Sequence, residues 1–175
     1  MTAASRNMKG VIKKFSKADY FNNDRRGREA LKPFLNKLTK LRTIDNPNKT
    51  GIDLLTLNSK DQVVACWEVE VREGNWLKDT LFPFSTINCI ERKEYQWRKE
   101  QEFLDKIPFE LHKDCKVFYV QMNNLVNRCV IIDSSIILKH KLIPWKNRKS
   151  EDEYVRQVPV SLCKQYKITG GSSIW

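Results

Sequence analysis

Two glutamates, Glu68 and Glu70, lie two residues apart in the segment ACWEVEVR (65–72). Its alternation of apolar and polar residues predicts a β-strand, in which every second side chain points to the same face. Glu68 and Glu70 would share one face, about 7 Å apart along the strand, while Trp67 points into the core. Carboxylates that repel each other in this way are stabilised by a divalent cation, which prefers oxygen ligands. The pattern therefore indicates a site for Mg²⁺ or Mn²⁺.

A third carboxylate, Asp53, lies near the start of a short apolar run at residues 52–57. This run, the polar residues 58–61 and the second run at 62–72 predict a β-hairpin. A turn centred near residue 60 places position 53 opposite position 67, to within one residue, and so brings Asp53 beside Glu68. The alternative is that the acids line a solvated face or pair with Lys and Arg on neighbouring strands.

The chain as a whole is basic, with 32 Lys and Arg against 21 Asp and Glu in 175 residues and a net charge of +11. Such a surplus attracts polyanions, of which nucleic acid is the commonest, although a generic basic surface is the simpler explanation. An acidic cluster inside this positive field favours a cation site that meets phosphate. The hydrophobic fraction of 41% is compatible with a globular fold and argues against a disordered chain.

Several other classes of protein have no support in the sequence. There is no GxxxxGK[ST] motif of a P-loop ATPase and no G-x-S-x-G motif of a hydrolase, and the two histidines form no zinc-binding pair. The five cysteines are odd in number and lie far apart in sequence, so we expect reduced thiols. With no apolar run of signal or membrane-span length, we expect a cytoplasmic protein that binds no membrane, in the host cell if the source is a phage.

The order of predicted elements indicates an α/β (α+β) protein with a central mixed β-sheet flanked by helices. An apolar stripe predicts a helix at 28–41, with Pro33 in its first turn or at a kink. Residues 86–91, 116–123 and 128–133 predict strands, the last running into a helical turn capped by Asp133, and 93–106 predicts a helix. Residues 144–153 are predicted to form a loop. A strand is predicted at 154–162, and Pro159 restricts it to the edge of a sheet or to a bulge. We expect a basic flexible arm (1–18), one domain (19–167) and a tail (168–175).

These elements together resemble the PD-(D/E)xK nuclease superfamily, which has a restriction-endonuclease-like core. The resemblance covers roughly residues 28–137: a helix, an acid that starts one strand, and an acid-x-(Lys or Glu) motif on the next strand. It implies Asp53 as the first acid and Glu68 as the second, with Glu70 at the usual lysine position, a departure that some similar restriction enzymes share. In the other register Glu70 is the second acid and Arg72 takes the lysine position.

The resemblance implies a divalent-metal-dependent endonuclease that hydrolyses phosphodiester bonds in DNA, most of all double-stranded DNA. Asp53, Glu68 and Glu70 would bind Mg²⁺ or Mn²⁺, and Arg72 would support the charge of the transition state. Many such enzymes act as homodimers to cut two strands. Glu29 is the candidate for the acid that the first helix often contributes, or else an ordinary helix N-terminal acid favoured by the macrodipole.

Basic and aromatic residues interleave in two further segments, 97–99 and 145–149, a mixture that suits phosphate contact and base stacking. The candidate nucleic-acid ligands are Arg92, Lys93, Arg98, Lys146 and Arg148. An ordinary helix and a polar loop have the same composition. A non-catalytic nucleic-acid-binding protein with a degenerate nuclease fold and a protein-interaction module remain alternative functions, and the choice between DNA and RNA stays open.

Overall fold

A computed structural model describes residues 17–147 and 150–168. The helices and strands are, in chain order, α1 (Lys17–Thr39), β1 (Arg42–Asp45), β2 (Leu54–Leu57), β3 (Val63–Val71), β4 (Thr86–Ile90), α2 (Glu94–Trp97), α3 (Gln101–Leu104), β5 (Leu111–Met122), β6 (Arg128–Asp133), α4 (Ser134–Ile137), β7 (Leu142–Asn147), β8 (Ser150–Pro159) and β9 (Lys164–Lys167). Short 3₁₀ turns at Glu91–Lys93 and Val160–Leu162 precede α2 and β9.

Six strands form a mixed sheet in the order β1-β2-β3-β5-β6-β9. Its central pair, β3 and β5, runs parallel, and its other neighbouring pairs run antiparallel. A second, antiparallel sheet has the order β4-β8-β7. The predicted α/β class with a mixed sheet is therefore confirmed.

The two faces of the six-stranded sheet cover separate cores. One face packs against α1, where Leu31 and Leu35 are fully buried against Trp67 and Val69 of β3. The other face lies against the second sheet and the short helices, with Trp97, Phe103, Ile87 and Val158 in its core. Because side chains alternate along a strand, Glu68 and Glu70 point towards this second face, away from Trp67 and Val69.

Helix α1 begins at Lys17, eleven residues before the predicted start at 28. The additional turns are held by contacts that apolar periodicity does not reveal: Arg28 pairs with Asp24 at 3.0 Å, and Arg26 donates to the Asn124 carbonyl at 2.8 Å. Pro33 lies well inside the helix. Leu38, which belongs to the apolar stripe of the predicted helix, is 43% exposed and so does not lie on its buried face.

The predicted hairpin is confirmed, with Leu54 opposite Trp67 in antiparallel register. Its turn closes through a hydrogen bond from the Asn58 amide to the Gln62 carbonyl at 3.0 Å. The strand at 86–90 and the helical turn after β6 are confirmed as well, and Asp133 caps that turn by accepting from the Ser135 amide at 2.9 Å.

Three other predicted elements differ from the structure. The strand expected at 154–162, at an edge or bulge, is β8 (Ser150–Pro159), which lies between β4 and β7 and has Pro159 as its last residue. The single helix expected at 93–106 is divided into α2 and α3, because Lys99 adopts a left-handed backbone conformation (φ 52°) that ends the first helix. The loop expected at 144–153 is wrong, since β7 and β8 pair there, with Trp145 opposite Glu153. Backbone pairing in a polar hairpin leaves no hydrophobic pattern to read.

The expected arm and tail fall mostly outside the described residues. Lys17 and Ala18, assigned to the arm, belong to α1, and residues 1–16 lie outside the description. Ile168, assigned to the tail, is buried and donates its amide to the Asn127 carbonyl at 2.7 Å; residues 169–175 lie outside. None of the helices within the described part of the chain has the length and apolar character needed to cross a membrane.

Candidate active site

Asp53 is anchored directly to β3. Since Leu54 lies opposite Trp67, one further step along the antiparallel register brings Asp53 opposite Glu68. The Asp53 carboxylate accepts the backbone N–H of Val69 at 2.7 Å. The hairpin thus brings together the first two acids predicted from the sequence, at the end of the sheet where β2 begins.

Glu68 is buried and bound by two side chains from the segment after β4. Lys93, at the end of the 3₁₀ turn, forms an ion pair with one oxygen of the Glu68 carboxylate. Gln96, on α2, donates to the other oxygen at 3.1 Å and is itself buried. The Lys93 side chain is 32% exposed, so the ammonium links the buried acid to the surface.

The electrostatics of this cluster are dominated by burial. Burial raises the pKa of Asp53 well above its usual range, and the neighbouring Glu68 charge raises that pKa further. Burial likewise raises the pKa of Glu68, an effect that Lys93 opposes without cancelling. Burial alone would lower the pKa of Lys93, but the charge and the hydrogen bond of Glu68, together with the Asp53 charge, outweigh burial and raise that pKa. The cluster therefore holds one buried carboxylate, Glu68, and one partly buried carboxylate, Asp53, against one ammonium.

A third acid, Asp24 on α1, also raises the pKa of Asp53 through its charge, after the effects of burial and Glu68. Sequence analysis missed Asp24 because the predicted helix began after it. Glu29, the helix acid named from the sequence, is 63% exposed and lies 3.9 Å from Arg25. The helix acid whose charge acts on Asp53 is therefore Asp24.

Glu70 and Arg72 each have a partner on β5. The Tyr119 hydroxyl donates a hydrogen bond to the Glu70 carboxylate. The Arg72 guanidinium donates twice to the side-chain oxygen Oε1 of Gln121, at 2.9 Å from Nε and 2.7 Å from Nη2. Within the described ranges, no group of three His, Cys, Asp or Glu side chains has the geometry to hold a metal ion.

The predicted nucleic-acid ligands are spread over different surroundings. Arg92 is exposed beside Lys93, and Arg98 is 48% exposed and pairs with Glu94 at 3.2 Å. Lys146 lies in β7, but its side chain is outside the description, as is the whole of Arg148. Of the five candidates, the structure brings Lys93 into contact with the acidic cluster.

The donor chemistry of Asp53 and Glu68 fits a hard divalent cation. Mg²⁺ usually takes one or two protein carboxylates and completes its shell with water and substrate phosphate. Burial is the main reason that the pKa of both carboxyls is raised, and the Glu68 charge adds to the effect at Asp53. A divalent cation would stabilise the charged form of both acids.

Comparisons of the chain with protein families, curated proteins and solved structures gave no significant match. The members of the acidic cluster come from three segments: the hairpin carries Asp53 and Glu68, the turn after β4 carries Lys93, and α2 carries Gln96.

Proposed function

We propose that this chain is a divalent-metal-dependent endonuclease that hydrolyses phosphodiester bonds in DNA and has a restriction-endonuclease-like core. The observation that carries the proposal is the ion pair between Lys93 and buried Glu68, with Asp53 across the hairpin. Two acids and a lysine are the functional groups that a PD-(D/E)xK site requires. In this proposal Lys93, which follows β4, takes the lysine role that neither Glu70 nor Arg72 fills.

Asp53 and Glu68 would hold Mg²⁺ or Mn²⁺, which supplies an acidified water and neutralises charge on the reacting phosphate. Gln96 keeps the Glu68 carboxylate in place through its hydrogen bond of 3.1 Å. Lys93 has a raised pKa and stays protonated at neutral pH. It is therefore suited to donating a hydrogen bond to a phosphoryl oxygen, whose negative charge grows in the transition state, and unsuited to removing a proton.

Double-stranded DNA is the substrate that we propose, because the chain carries a net charge of +11 around its acidic cluster. Exposed Arg92, next to Lys93, and half-exposed Arg98 would contact phosphates on either side of the scissile bond. Lys146 and Arg148 are further proposed phosphate ligands. Cutting both strands would take a homodimer, and the cytoplasm is the proposed compartment.

Two observations favour a second candidate, a nucleic-acid-binding protein that does not cleave. Both oxygens of Glu68 already accept hydrogen bonds, from Lys93 and Gln96. No three-ligand metal group occurs in the part of the chain that the structure describes. This candidate binds nucleic acid through its positive charge, with strong salt dependence and without cleavage by any metal.

The test is incubation of the protein with supercoiled, linear, single-stranded and branched DNA in Mg²⁺, Mn²⁺ or chelator. We expect nicked and linear plasmid with either metal and none with chelator. Asp53→Asn and Glu68→Gln should each slow cleavage by about 100-fold or more, since each removes a charged ligand of the proposed metal ion. Matched controls are Asp61→Asn and Glu102→Gln, because these acids are exposed and pair with surface cations.

Cleavage at the wild-type rate by Asp53→Asn would contradict the assignment. Salt-sensitive DNA retention without cleavage under either metal would favour the non-catalytic candidate. Absence of salt-dependent retention on both DNA and heparin columns would remove nucleic acid as the partner and leave a protein-interaction role.

A further inference from the structure

We propose that Arg72 is a positioning residue, which fixes the orientation of Glu70 through a hydrogen-bond chain made by Gln121 and Tyr119. The inference deepens the proposed nuclease function and rests on it. In this proposal Arg72 does not contact the phosphate; it acts indirectly, by holding Glu70 in place.

The chain of hydrogen bonds is continuous from one charge to the other. The Arg72 guanidinium donates to the Gln121 carbonyl oxygen at 2.9 and 2.7 Å. The Gln121 amide nitrogen donates to the Tyr119 hydroxyl oxygen at 3.0 Å. The Tyr119 hydroxyl then donates to the Glu70 carboxylate. A cation and a carboxylate on the same face of β3 are thus joined through two neutral side chains of β5.

The direction of every bond in this chain is fixed by chemistry. A guanidinium has donors and no acceptor, so Gln121 must turn its carbonyl oxygen towards Arg72. The Gln121 nitrogen then faces Tyr119, and it also lies 3.5 Å from the Asn88 backbone carbonyl, a group that can accept but not donate. Because the Tyr119 oxygen accepts from Gln121, its own proton is left for Glu70. Aligned donors of this kind strengthen one another.

Burial makes the arrangement rigid. Gln121 is fully buried and Tyr119 is 3% exposed, so neither can exchange its partner for water at low cost. The parallel register also holds the members side by side, with Glu70 opposite Gln121 and Glu68 opposite Tyr119. Glu70 is therefore kept in one orientation, two residues along β3 from Glu68. From there we propose that it accepts a hydrogen bond from the attacking water.

The test compares Arg72→Met, Arg72→Lys and Tyr119→Phe in DNA cleavage by the full chain. Arg72→Met and Tyr119→Phe should lower kcat by about 10- to 100-fold and leave KM nearly unchanged, as expected when a supporting partner is lost. Arg72→Lys keeps one donor for Gln121 and should restore part of the loss. Arg42→Met is the matched control, since it removes an arginine whose side chain is 64% exposed.

The background of Glu70→Gln provides the decisive comparison. If Arg72 and Tyr119 act through Glu70, neither substitution should lower kcat further in that background. A fully additive loss would overturn the proposal, as would a rise in KM without a change in kcat, which indicates direct contact of Arg72 with DNA. If Arg72→Met does not fold, Tyr119→Phe, which removes one oxygen atom, carries the test.

A spectroscopic measurement separates failure of this inference from failure of the nuclease proposal. If the wild-type protein cleaves no DNA, the proposed function is wrong. The chain of hydrogen bonds can still be tested through the proton resonance of the Tyr119 hydroxyl. That signal is identified by its loss in Tyr119→Phe. It should move upfield in Glu70→Gln and in Arg72→Met, and a signal that stays in place in both variants would overturn the proposal.

Discussion

Replacing Lys93 by methionine should destabilise the protein in a manner that depends strongly on pH. The substitution keeps much of the side-chain volume but leaves the Glu68 carboxylate buried without its cation. Breaking a fully buried ion pair on one side costs about 3 to 5 kcal/mol. Because the Lys93 side chain is 32% exposed, solvent screening reduces this to about 2 to 3 kcal/mol.

The sign of the pH dependence follows from the raised pKa of Glu68. Without Lys93 the pKa of Glu68 rises further. Above a pH of about 4.3, Glu68 has lost its proton in the unfolded chain but still holds it in the folded variant. Stability of the variant therefore falls as pH rises through this window. Asp53 acts in the same direction, because burial and the Glu68 charge raise its pKa as well. The deficit should be largest near pH 8 and small near pH 4.5.

The assay is urea unfolding, followed by circular dichroism, of wild-type protein, Lys93→Met and Lys37→Met at pH 5 and pH 8. Lys37 is an exposed lysine on α1 and serves as the control. Adding Glu68→Gln to Lys93→Met should recover stability at pH 8, because a neutral amide needs no cation. The reasoning is refuted if Lys93→Met matches the wild-type free energy of unfolding at pH 8, or if the double variant is no more stable than the single one.

Three further predictions concern metal, packing and charge. Mg²⁺ or Mn²⁺ at one hundred times its Kd should increase the free energy of unfolding by about 2.7 kcal/mol at neutral pH. The melting temperature in a thermal-shift assay should rise accordingly, and Asp53→Asn should abolish that rise. Gly27→Val should cost about 1 to 3 kcal/mol by urea unfolding, since a Cβ at Gly27 lies 2.8 Å from Val71 Cγ2, whereas Gly74→Ala meets nothing within 4 Å and should be neutral. Arg92→Ala should reduce the slope of log affinity for DNA against log salt by about 1 in a fluorescence-anisotropy titration, and an unchanged slope would place that arginine away from the phosphates.

The parts of the site that could be predicted from sequence are those set by short-range rules. The alternation around Glu68 and the turn at 58–61 place the hairpin register to within one residue, which is enough to bring Asp53 near Glu68. The contacts of Lys93 and Gln96 with Glu68 depend on how the chain returns across the sheet, and no spacing encodes that path. Gln96 is also uncharged, so a search for acids and bases passes over it.

Long-range contacts explain the remaining differences as well. Asp24 was missed because α1 is extended by pairings with residues far along the chain, such as Arg26 with the Asn124 carbonyl. The roles of Glu70 and Arg72 were assigned by position in a motif, whereas their partners Tyr119 and Gln121 lie on a strand nearly fifty residues away. A predicted strand shows which of its side chains point to the same side of the sheet, but not which residues of other elements contact them there.

The parallel pairing of β3 and β5 has a consequence for when the acidic cluster is completed during folding. Parallel neighbours need a long crossover, and in this chain that crossover carries Lys93 and Gln96. A newly made hairpin can bring Asp53 near Glu68 early, but their cationic and amide partners arrive when the crossover docks, a slow event governed by distant contacts. We therefore expect a refolding chain to form its hairpin first and the complete cluster of Asp53, Glu68, Lys93 and Gln96 later.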